Sequence, residues 1–336
     1  MVRVGVIGYG YWGPNLVRNF SEAPGCEVAA VSDLSQDRLS TLKARYPAVR
    51  TTTDYQTLLA DPATDLVIIA TPVSTHFKLA MEALQAGKHV LVEKPMTTTS
   101  EESRKLIAEA EKRKKQLFVD HTFVYTGAVR KMAELVSSGD LGEIYYFDST
   151  RVNLGLFQHD VNVIWDLAVH DLSILQNIIS EEPVAVSATA ISHVKNQPEN
   201  IAYITLFFRS SLIAHFHVNW LAPVKVRKML IGGSKKMIVY DDIELSEKVK
   251  IYDKGVALAT DPEKIQQLKI GYRSGDMWAP QIALTEALQV EAKHLVDCIE
   301  RGARPLTGGQ AGLRVVRCLE AATASARERG RLVELS

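Results

Sequence analysis

The sequence lacks the features that mark disulfide-rich, zinc-binding and nucleic-acid-binding proteins. Its 336 residues include only three cysteines, and its 39 basic residues are balanced by 39 acidic ones. Cys26, Cys298 and Cys318 form neither a C-x-x-C pair nor a Cys/His spacing suited to a metal ion, so reduced and mostly buried thiols are expected. The zero formal net charge gives no electrostatic reason to expect a nucleic-acid partner.

Long hydrophobic runs and metal-ligand clusters are missing as well. No apolar run approaches the roughly 20 residues that a membrane-spanning helix requires. The first apolar run follows directly on Met1, so we expect neither a signal peptide nor a transmembrane helix. We therefore expect a cytoplasmic protein. His215 and His217 alternate along a strand-like run and share one face, but no third ligand stands at a suitable spacing. We therefore predict no metal site.

The first third of the chain alternates short apolar runs with amphipathic stretches. The apolar runs predict strands near residues 2–8, 27–33, 65–70, 88–92 and 116–120. Helices between such strands indicate a parallel, doubly wound α/β sheet. One helix is expected near 100–115, because Thr99 and Glu102 have the spacing of a capping box, and the helix before it should end at Gly87.

The sequence pattern changes after Gly139–Gly142. Longer β-rich runs then occur at 143–154, 183–192, 200–209, 212–221, 227–233 and 236–241. Two helices and a last short strand are predicted near 280–300, 309–329 and 331–335. This pattern is typical of an α/β domain with a large open, mostly antiparallel sheet. We therefore predict two domains, 1–123 and 124–336.

A glycine pattern follows the first predicted strand. Gly8, Gly10 and Gly13 have the G-x-G-x-x-G spacing and precede a helical pattern. This order predicts a Rossmann dinucleotide-binding domain, in which Gly8 allows the turn, Gly10 admits the pyrophosphate and Gly13 permits close helix packing. Asp33 ends the next apolar run about 20 residues later, where a carboxylate binds the ribose hydroxyls and repels a 2′-phosphate. The cofactor expected is NAD rather than NADP, with Arg38 placed to lie over the adenine.

Three polar side chains are candidates for the chemistry. Lys94 stands between Glu93, at the end of a strand-like run, and Pro95, which favours an extended backbone at Lys94. A lysine at the end of a strand of this sheet lies beside a bound nicotinamide. Asp166 and His170 are four residues apart in a helix-like segment and so share one face. Oxidation of an alcohol removes a hydride and a proton, and His170 is a candidate general base.

Together these motifs resemble the glucose-fructose oxidoreductase, inositol dehydrogenase and MocA family. The resemblance covers essentially the whole chain and rests on Gly8–Gly13, Thr71–Pro72, His76, Gly87–Pro95 and Asp166–Asp171. It implies an N-terminal Rossmann domain that binds NAD. It also implies a C-terminal substrate-binding α/β domain whose open sheet often forms the subunit contact.

The resemblance implies roles for individual residues. Lys94 would hydrogen-bond the reacting oxygen, and Asp166 would orient His170 or bind a neighbouring hydroxyl. Either Lys94 or His170 would take the proton. The cofactor contacts that it implies are Gly8, Gly10, Tyr11, Trp12, Gly13, Asp33, Thr71, Pro72, His76, Glu93, Lys94 and Trp165.

The expected substrate is a nucleotide-linked sugar. The segments Tyr9–Phe20 and Tyr272–Asp276 resemble family members that oxidise the 3-hydroxyl of UDP-N-acetylglucosamine. The implied 3-keto product would feed a separate PLP aminotransferase in lipid A or surface-glycan biosynthesis. The expected substrate contacts are Lys94, Asp166 and His170 at the reacting sugar. Arg151, Asn153 and Arg273 would bind the diphosphate. Each of these last three could instead serve a salt bridge or a turn.

Two segments depart from the family pattern close to the expected substrate pocket. Asn162–Trp165 replaces a glycine-rich stretch, and Val124–Gly127 replaces a frequent Arg-Phe-Asn-Pro. The alternatives are therefore an enzyme of the same fold that acts on a free polyol or another sugar, and a non-catalytic NAD(H)-binding sensor. The alternating runs Ile201–Phe208 and Leu212–Trp220 predict a sheet face that one chain does not cover, and hence a homodimer or homotetramer.

Overall fold

The computed structural model describes residues 1–155, 161–257 and 271–335. The chain divides into a first unit of Met1–Thr126 with Leu284–Glu320, and a second unit of Gly127–Ala283 with Ala321–Ser336. Each unit is thus built from two separate stretches of sequence. In the described part of the chain, no helix is both long enough and apolar enough to cross a membrane.

The first unit contains a six-stranded sheet in which all neighbouring strands are parallel. Its strands are β1 (Val2–Ile7), β2 (Cys26–Ser32), β3 (Arg50–Thr52), β4 (Leu66–Ile69), β5 (His89–Glu93) and β6 (Leu117–Asp120). Their order across the sheet is β3-β2-β1-β4-β5-β6, the order of a dinucleotide-binding Rossmann sheet. Five of these strands were predicted. The edge strand β3 was missed, because the polar residues Arg50 to Thr52 form no apolar run.

Local capping residues mark the ends of some of the helices beside this sheet. The helices are α1 (Gly13–Glu22), α2 (Gln36–Arg45), α3 (Gln56–Ala60), α4 (His76–Gln85) and α5 (Ser100–Arg113). The Thr99 hydroxyl accepts the backbone N–H of Glu102 at 3.2 Å, which confirms the N-cap of α5. Gly87 follows α4 with a φ of +76°, in the left-handed region that favours glycine after a helix.

The core of the first unit includes a helix from late in the chain. In the part of the second unit that the structure describes, the helical segments include α6 (Gly127–Ser137), the π-helical turn Ile164–Ala168, α7 (Val169–Ile178) and the end of a long helix described below. Helix α8 (Ala287–Arg301) instead buries Leu288, Leu295 and Val296 against side chains of β1 and α1. The predicted domain boundary at 123/124 is therefore corrected, because Leu284–Glu320 belongs to the first unit. An amphipathic pattern predicts that a helix has a buried face, but it does not predict which elements cover that face.

The second unit contains a nine-stranded sheet. Its strands are β7 (Ile144–Leu154), β8 (Ala185–Ile191), β9 (Ile201–Phe207), β10 (Ile213–Asn219), β11 (Leu221–Gly233), β12 (Met237–Asp241), β13 (Val249–Tyr252), β16 (Met277–Trp278) and β17 (Val333–Glu334). The order is β16-β13-β12-β11-β7-β10-β9-β8-β17, and among these described strands only β7 and β10 pair in parallel. The mostly antiparallel sheet is thereby confirmed. A separate pair joins β14 (Gly255–Ala257) to β15 (Gly271–Arg273).

One face of this sheet is buried and the other is open. Alternate residues of β9 and β10, such as Ile204 and Phe216, are fully buried. The opposite positions Tyr203, Phe207 and Ile213 are exposed. The period of two matches the alternation read from the sequence. The last helix, α9 (Gly309–Arg327), contributes its residues up to Glu320 to the first unit and the remainder to the second.

Candidate active site

A cavity of about 780 Å³ lies at the carboxyl ends of the parallel strands in the first unit. Ligands of doubly wound sheets bind at this edge. Predicted cofactor contacts that line the cavity are Gly8, Gly10, Tyr11, Trp12, Asp33, Thr71, Pro72, Glu93 and Lys94. The cavity therefore brings the glycine loop and the candidate lysine together within one unit.

The three glycines of the loop meet different steric demands. Gly8 has a φ of +99°, and a Cβ there would lie 2.3 Å from the Ala70 carbonyl oxygen. A Cβ on Gly13 would lie 2.5 Å from the Gly8 carbonyl oxygen, so loop and helix meet too closely for any side chain. A Cβ on Gly10 would meet only the tip of Arg38 at 3.7 Å, which leaves cavity space beside this backbone. The glycines thus fit a loop that a pyrophosphate approaches closely.

Helix α1 begins directly at this loop. Its N-terminus at Gly13 has no side-chain cap, and a proline stands in its first turn. Uncapped N–H groups at a helix N-terminus favour a bound anion. The geometry fits the pyrophosphate of a dinucleotide, held by Gly10, Trp12 and Gly13.

Asp33 is buried at the end of β2 and its carboxylate is fixed by the backbone. Its Oδ2 accepts the N–H of Tyr9 at 2.7 Å, and its Oδ1 accepts the N–H of Ser35 at 2.8 Å. The exposed Arg38 approaches the same Oδ2 at 3.6 Å. Asp33 therefore supports the glycine loop as well as presenting a negative charge to the cavity.

His76 connects two segments of the cavity wall. The residue is 1% exposed. Its ring nitrogens Nδ1 and Nε2 lie 2.9 Å from the carbonyl oxygens of Pro95 and Thr71, respectively. Burial lowers the pKa of His76, despite these two acceptors. The ring therefore connects the Thr71–Pro72 turn to the Lys94–Pro95 segment, and the expected cofactor contact of His76 stays a prediction.

Lys94 is half-buried and follows directly on Glu93, the last residue of β5. The Oε2 atom of Glu93 accepts the backbone N–H of Lys94 at 3.2 Å. Asp120 ends the neighbouring strand β6 as the register partner of Glu93. Its Oδ2 accepts the indole N–H of Trp12 at 2.9 Å, which connects the glycine loop to the strand ends near Lys94.

Asp120 is a further candidate residue that the sequence analysis did not single out. It is 1% exposed, and its Oδ1 accepts the hydroxyl of Thr122. A signal was available, because Asp120 is the last residue of the last strand of a parallel sheet, at the edge where ligands bind.

Asp166 and His170 lie together at the start of a helix in the second unit. Asp166 belongs to the π-helical turn Ile164–Ala168, and His170 to α7, which continues from it. The indole N–H of the buried Trp220 donates to Asp166 Oδ2 at 3.0 Å. Both candidate residues are half-buried. Short π-helical turns are frequent at functional sites, and this one was not visible in the spacing of the sequence.

The segment that departs from the family pattern shapes this turn. Asn162 Oδ1 accepts the N–H groups of Ile164 and Trp165 at 3.1 and 3.3 Å. The indole N–H of Trp165 donates to Thr323 Oγ1 at 2.9 Å within the second unit. Trp165 therefore retains only its ring for the cofactor contact that was expected of it.

Arg151 requires a correction. Its side chain is 3% exposed, and its Nε and Nη2 lie 2.8 and 2.6 Å from Asp171 Oδ1. The guanidinium is thus committed to a buried ion pair, because a charge inside a protein needs a partner. Asn153 is half-buried in β7. Arg273 pairs with Gly255 through its backbone, and its side chain lies outside the described part of the structure.

The ion pair predicts a large stability effect. We expect Arg151→Met to lower the free energy of unfolding by about 3 kcal/mol, because it leaves the Asp171 carboxylate buried without its partner. Urea denaturation of the variant and the wild type measures this difference. The control Lys228→Met removes a more exposed partner of Asp241 and should cost less than about 1 kcal/mol. Equal effects of the two substitutions would contradict the structural role of Arg151.

Grouped metal ligands are not found. Among the residues that the structure describes, no three His, Cys, Asp or Glu side chains are arranged to hold a metal ion.

Comparison with known proteins agrees with this geometry. Residues 2–121 match the GFO/IDH/MocA model described as an oxidoreductase family with an NAD-binding Rossmann fold, and residues 129–239 match a GFO/IDH/MocA C-terminal domain. UDP-N-acetylglucosamine 3-dehydrogenase of Acidithiobacillus ferrooxidans is 27% identical over 94% of each chain. Its solved structure superposes with a TM-score of 0.82 at 26% identity and covers 97% of each chain.

Two other relatives cover less of the chain. Inositol 2-dehydrogenase of Rhodococcus erythropolis is 28% identical over 74% of this chain and 75% of that protein. The uncharacterised oxidoreductase YdgJ of Escherichia coli is 38% identical, but the match spans 44% of this chain and 42% of that protein. The two domain models together cover more than half of the sequence. The chain therefore belongs to the GFO/IDH/MocA family of NAD-dependent oxidoreductases.

Proposed function

We propose that the protein oxidises the 3-hydroxyl of a nucleotide-linked sugar, with UDP-N-acetylglucosamine as the first candidate, to a 3-keto sugar. The observation that carries the proposal is the position of Lys94 in the same cavity as the glycine loop. The likeness to a UDP-N-acetylglucosamine 3-dehydrogenase over 94% of each chain supports the substrate.

The residues of the cavity suit a dinucleotide. When bound, NAD accepts the hydride from the carbon that carries the hydroxyl. Gly10 and the N-terminus of α1 would hold the pyrophosphate, and Asp33 would hold the adenosine ribose. The open space beside Gly10 is the structural basis of this assignment.

The proton of the hydroxyl must leave as the hydride is transferred. Lys94 can donate a hydrogen bond to the reacting oxygen and stabilise its negative charge. His170 can take the proton as an imidazole, and Asp166, which Trp220 holds in place, can orient His170 or bind a neighbouring hydroxyl. Lys94 and His170 remain the two proposed proton acceptors.

The diphosphate contacts are revised by the buried ion pair of Arg151. Asn153 and Arg273 are the remaining proposed contacts. An amide and a guanidinium both donate hydrogen bonds to phosphate oxygens. The proposed product, a 3-keto sugar nucleotide, would be consumed by a PLP-dependent aminotransferase in amino-sugar biosynthesis for lipid A or a surface glycan.

A free polyol is the second candidate substrate. It is favoured by the 28% identity to an inositol 2-dehydrogenase over 74% of the chain. Both candidates require the same hydride and proton transfer, so they differ only in what binds the remainder of the substrate.

Mass spectrometry of the products tests the proposal. The protein is incubated with NAD and UDP-N-acetylglucosamine, with a PLP aminotransferase and glutamate to remove an unfavourable ketone, and in parallel with NAD and myo-inositol. We expect a 3-keto or 3-amino sugar nucleotide in the first reaction, and none with Lys94→Met. Turnover of the polyol alone would replace the first candidate by the second.

We also propose that the open sheet face joins two or more copies of the chain. The exposed Tyr203 stacks on His217 with ring centroids 4.5 Å apart, beside the exposed Phe207 and Ile213. Apolar and aromatic side chains grouped on one face favour burial against a partner. Light scattering should give the mass of a dimer or tetramer for the wild type and a smaller mass for Tyr203→Glu. A monomeric wild type would contradict this proposal.

A further inference from the structure

A second cavity, of about 500 Å³, lies within the first unit. It is called the α9 cavity, because the first residues of α9, Gly309 to Ala311, form part of its wall. The remaining wall comes from α5, from Leu117 at the start of β6 and from residues 304–306. The α9 cavity shares no described lining residue with the cavity at the glycine loop. It lies at the amino end of β6, away from the carboxyl ends of the strands where doubly wound sheets bind their ligands.

The charged side chains of the α9 cavity are mainly basic. Lys115, Arg304 and Arg314 supply three positive charges and Glu111 one negative charge, which leaves +2 among the described lining residues. The chain as a whole is neutral. Within the part of the chain that the structure describes, the side chains of Lys115 and Arg304 form neither a hydrogen bond nor a salt bridge. Cationic side chains of this kind at one cavity favour an anionic ligand.

The backbone adds to the positive potential of the side chains. Helix α9 begins at Gly309, and Gly308 before it has no side chain that could cap the helix. The Gly308 carbonyl oxygen accepts the N–H of Gly312 at 3.1 Å, which is the first hydrogen bond of the helical pattern. The N–H groups of the first turn have no acceptor inside a helix, and the helix dipole is positive at this end. An anion in the α9 cavity would therefore meet backbone donors and cationic side chains together.

Close packing holds this end of α9 in place. A Cβ on Gly309 would lie 2.9 Å from Ile107 Cγ1 and 3.0 Å from Leu117 Cδ2, so the helix start lies directly against α5 and β6. The Thr307 carbonyl oxygen accepts the N–H of Val119 at 2.8 Å, which joins the segment before α9 to β6. A wall that is packed in this way is formed before a ligand binds, so little binding energy is spent on ordering it.

The uncharged part of the wall is largely apolar. Ile107, Leu117, Pro305 and Leu306 line the cavity beside the basic side chains. Leu117 is buried, whereas Leu306 is 47% exposed and offers apolar surface that a ligand can cover. The volume of the cavity lies within the range of roughly 300 to 1,000 Å³ that is typical of small-molecule sites. A ligand with an anionic group at one end and a carbon skeleton at the other fits this division.

We propose that the α9 cavity binds a small organic phosphate. Its phosphate group would contact Lys115, Arg304 and the first turn of α9, and its carbon skeleton would lie against Leu117 and Leu306. A phosphate monoester carries a charge of about −1.5 to −2 at neutral pH, which matches the net charge of the cavity better than a monocarboxylate does. Arg304 can contact two phosphate oxygens at once, and Lys115 acts as a compact cation. This site is additional to the proposed substrate and cofactor contacts.

Calorimetric titration with phenyl phosphate tests the proposal, because this monoester carries an apolar ring. The protein is first saturated with NADH, so that the cofactor cavity is occupied. We expect the wild type to bind phenyl phosphate at millimolar concentration, and Lys115→Met and Arg304→Met each to bind it about tenfold more weakly, because a charge-assisted hydrogen bond is lost. The matched control Lys114→Met removes the neighbouring exposed lysine, which does not line the cavity, and should leave the affinity nearly unchanged.

Protection from acylation locates the bound probe. A small acylating reagent modifies accessible lysines, and peptide mass spectrometry follows Lys115 and Lys114 separately. Phenyl phosphate should slow the acylation of Lys115 and leave that of Lys114 unchanged. Equal protection of the two lysines would place the probe elsewhere and overturn the proposal.

Three further outcomes would overturn the proposal. The first is absence of binding to the wild type at millimolar phenyl phosphate, and the second is undiminished affinity in both Lys115→Met and Arg304→Met. The third is equal affinity for inorganic phosphate and phenyl phosphate, because the apolar wall would then contribute nothing and the site would take only the free ion. Neither measurement needs turnover of a sugar, so the result is independent of the proposed function.

Discussion

The Lys94→Met variant should bind NAD normally and lose at least about a thousandfold of its turnover. Methionine keeps the apolar stem of the side chain and removes the ammonium that would contact the reacting oxygen. Loss of a single donor to a developing oxyanion costs about 10² to 10³ in rate, and loss of a proton-transfer group about 10² to 10⁴. The expected loss corresponds to roughly 4 kcal/mol of transition-state stabilisation.

Two measurements separate catalysis from binding in this variant. Steady-state kinetics with the substrate that the wild type turns over gives kcat, and calorimetric titration gives the affinity for NAD. The affinity should change little, because the proposed pyrophosphate contacts come from the glycine loop and α1. The control Lys105→Met removes an exposed lysine that pairs with Glu101 on α5, and should retain full turnover. Undiminished turnover in Lys94→Met would remove the lysine from the mechanism.

The parts of the fold that the sequence predicts are those set by local chemistry. Strands β1, β2, β4, β5 and β6 are short apolar runs, and the caps at Thr99 and Gly87 are local patterns that need no knowledge of distant contacts. The edge strand β3 escapes such a reading, because Arg50 to Thr52 are polar and pair only through their backbone. The same limit applies to α8, whose apolar face could not be assigned to the first unit from its period alone.

The candidate site divides in the same way. Gly8, Gly13 and Lys94 could be read from spacing, because steric demands and strand ends leave a local trace. Arg151 was misplaced, since a sequence gives the charge of a side chain but not its burial or its partner.

The Asp33→Ser variant should change the ratio of NAD to NADP affinity by roughly a thousandfold in favour of NADP. Loss of a charge-assisted hydrogen bond to the ribose weakens NAD binding by about 2 kcal/mol. Removal of the buried negative charge relieves repulsion of a 2′-phosphate by a similar amount, about 2 kcal/mol, after screening by solvent. The sum of about 4 kcal/mol gives the expected change, which calorimetric titration with each dinucleotide would measure.

Arg38 provides the internal control for this prediction. Its Nη1 lies 3.6 Å from Asp33 Oδ2, and its side chain is 57% exposed at the cavity, so it can pair with a 2′-phosphate once the carboxylate is gone. Asp33→Ser combined with Arg38→Ala should therefore lose most of the gained NADP affinity. If Asp33→Ser alone lowered the affinities for NAD and NADP equally, Asp33 would not discriminate between the two dinucleotides. In that case Asp33 would act only through the Tyr9 N–H that it holds, because a displaced glycine loop weakens pyrophosphate binding whether or not the ribose carries a phosphate.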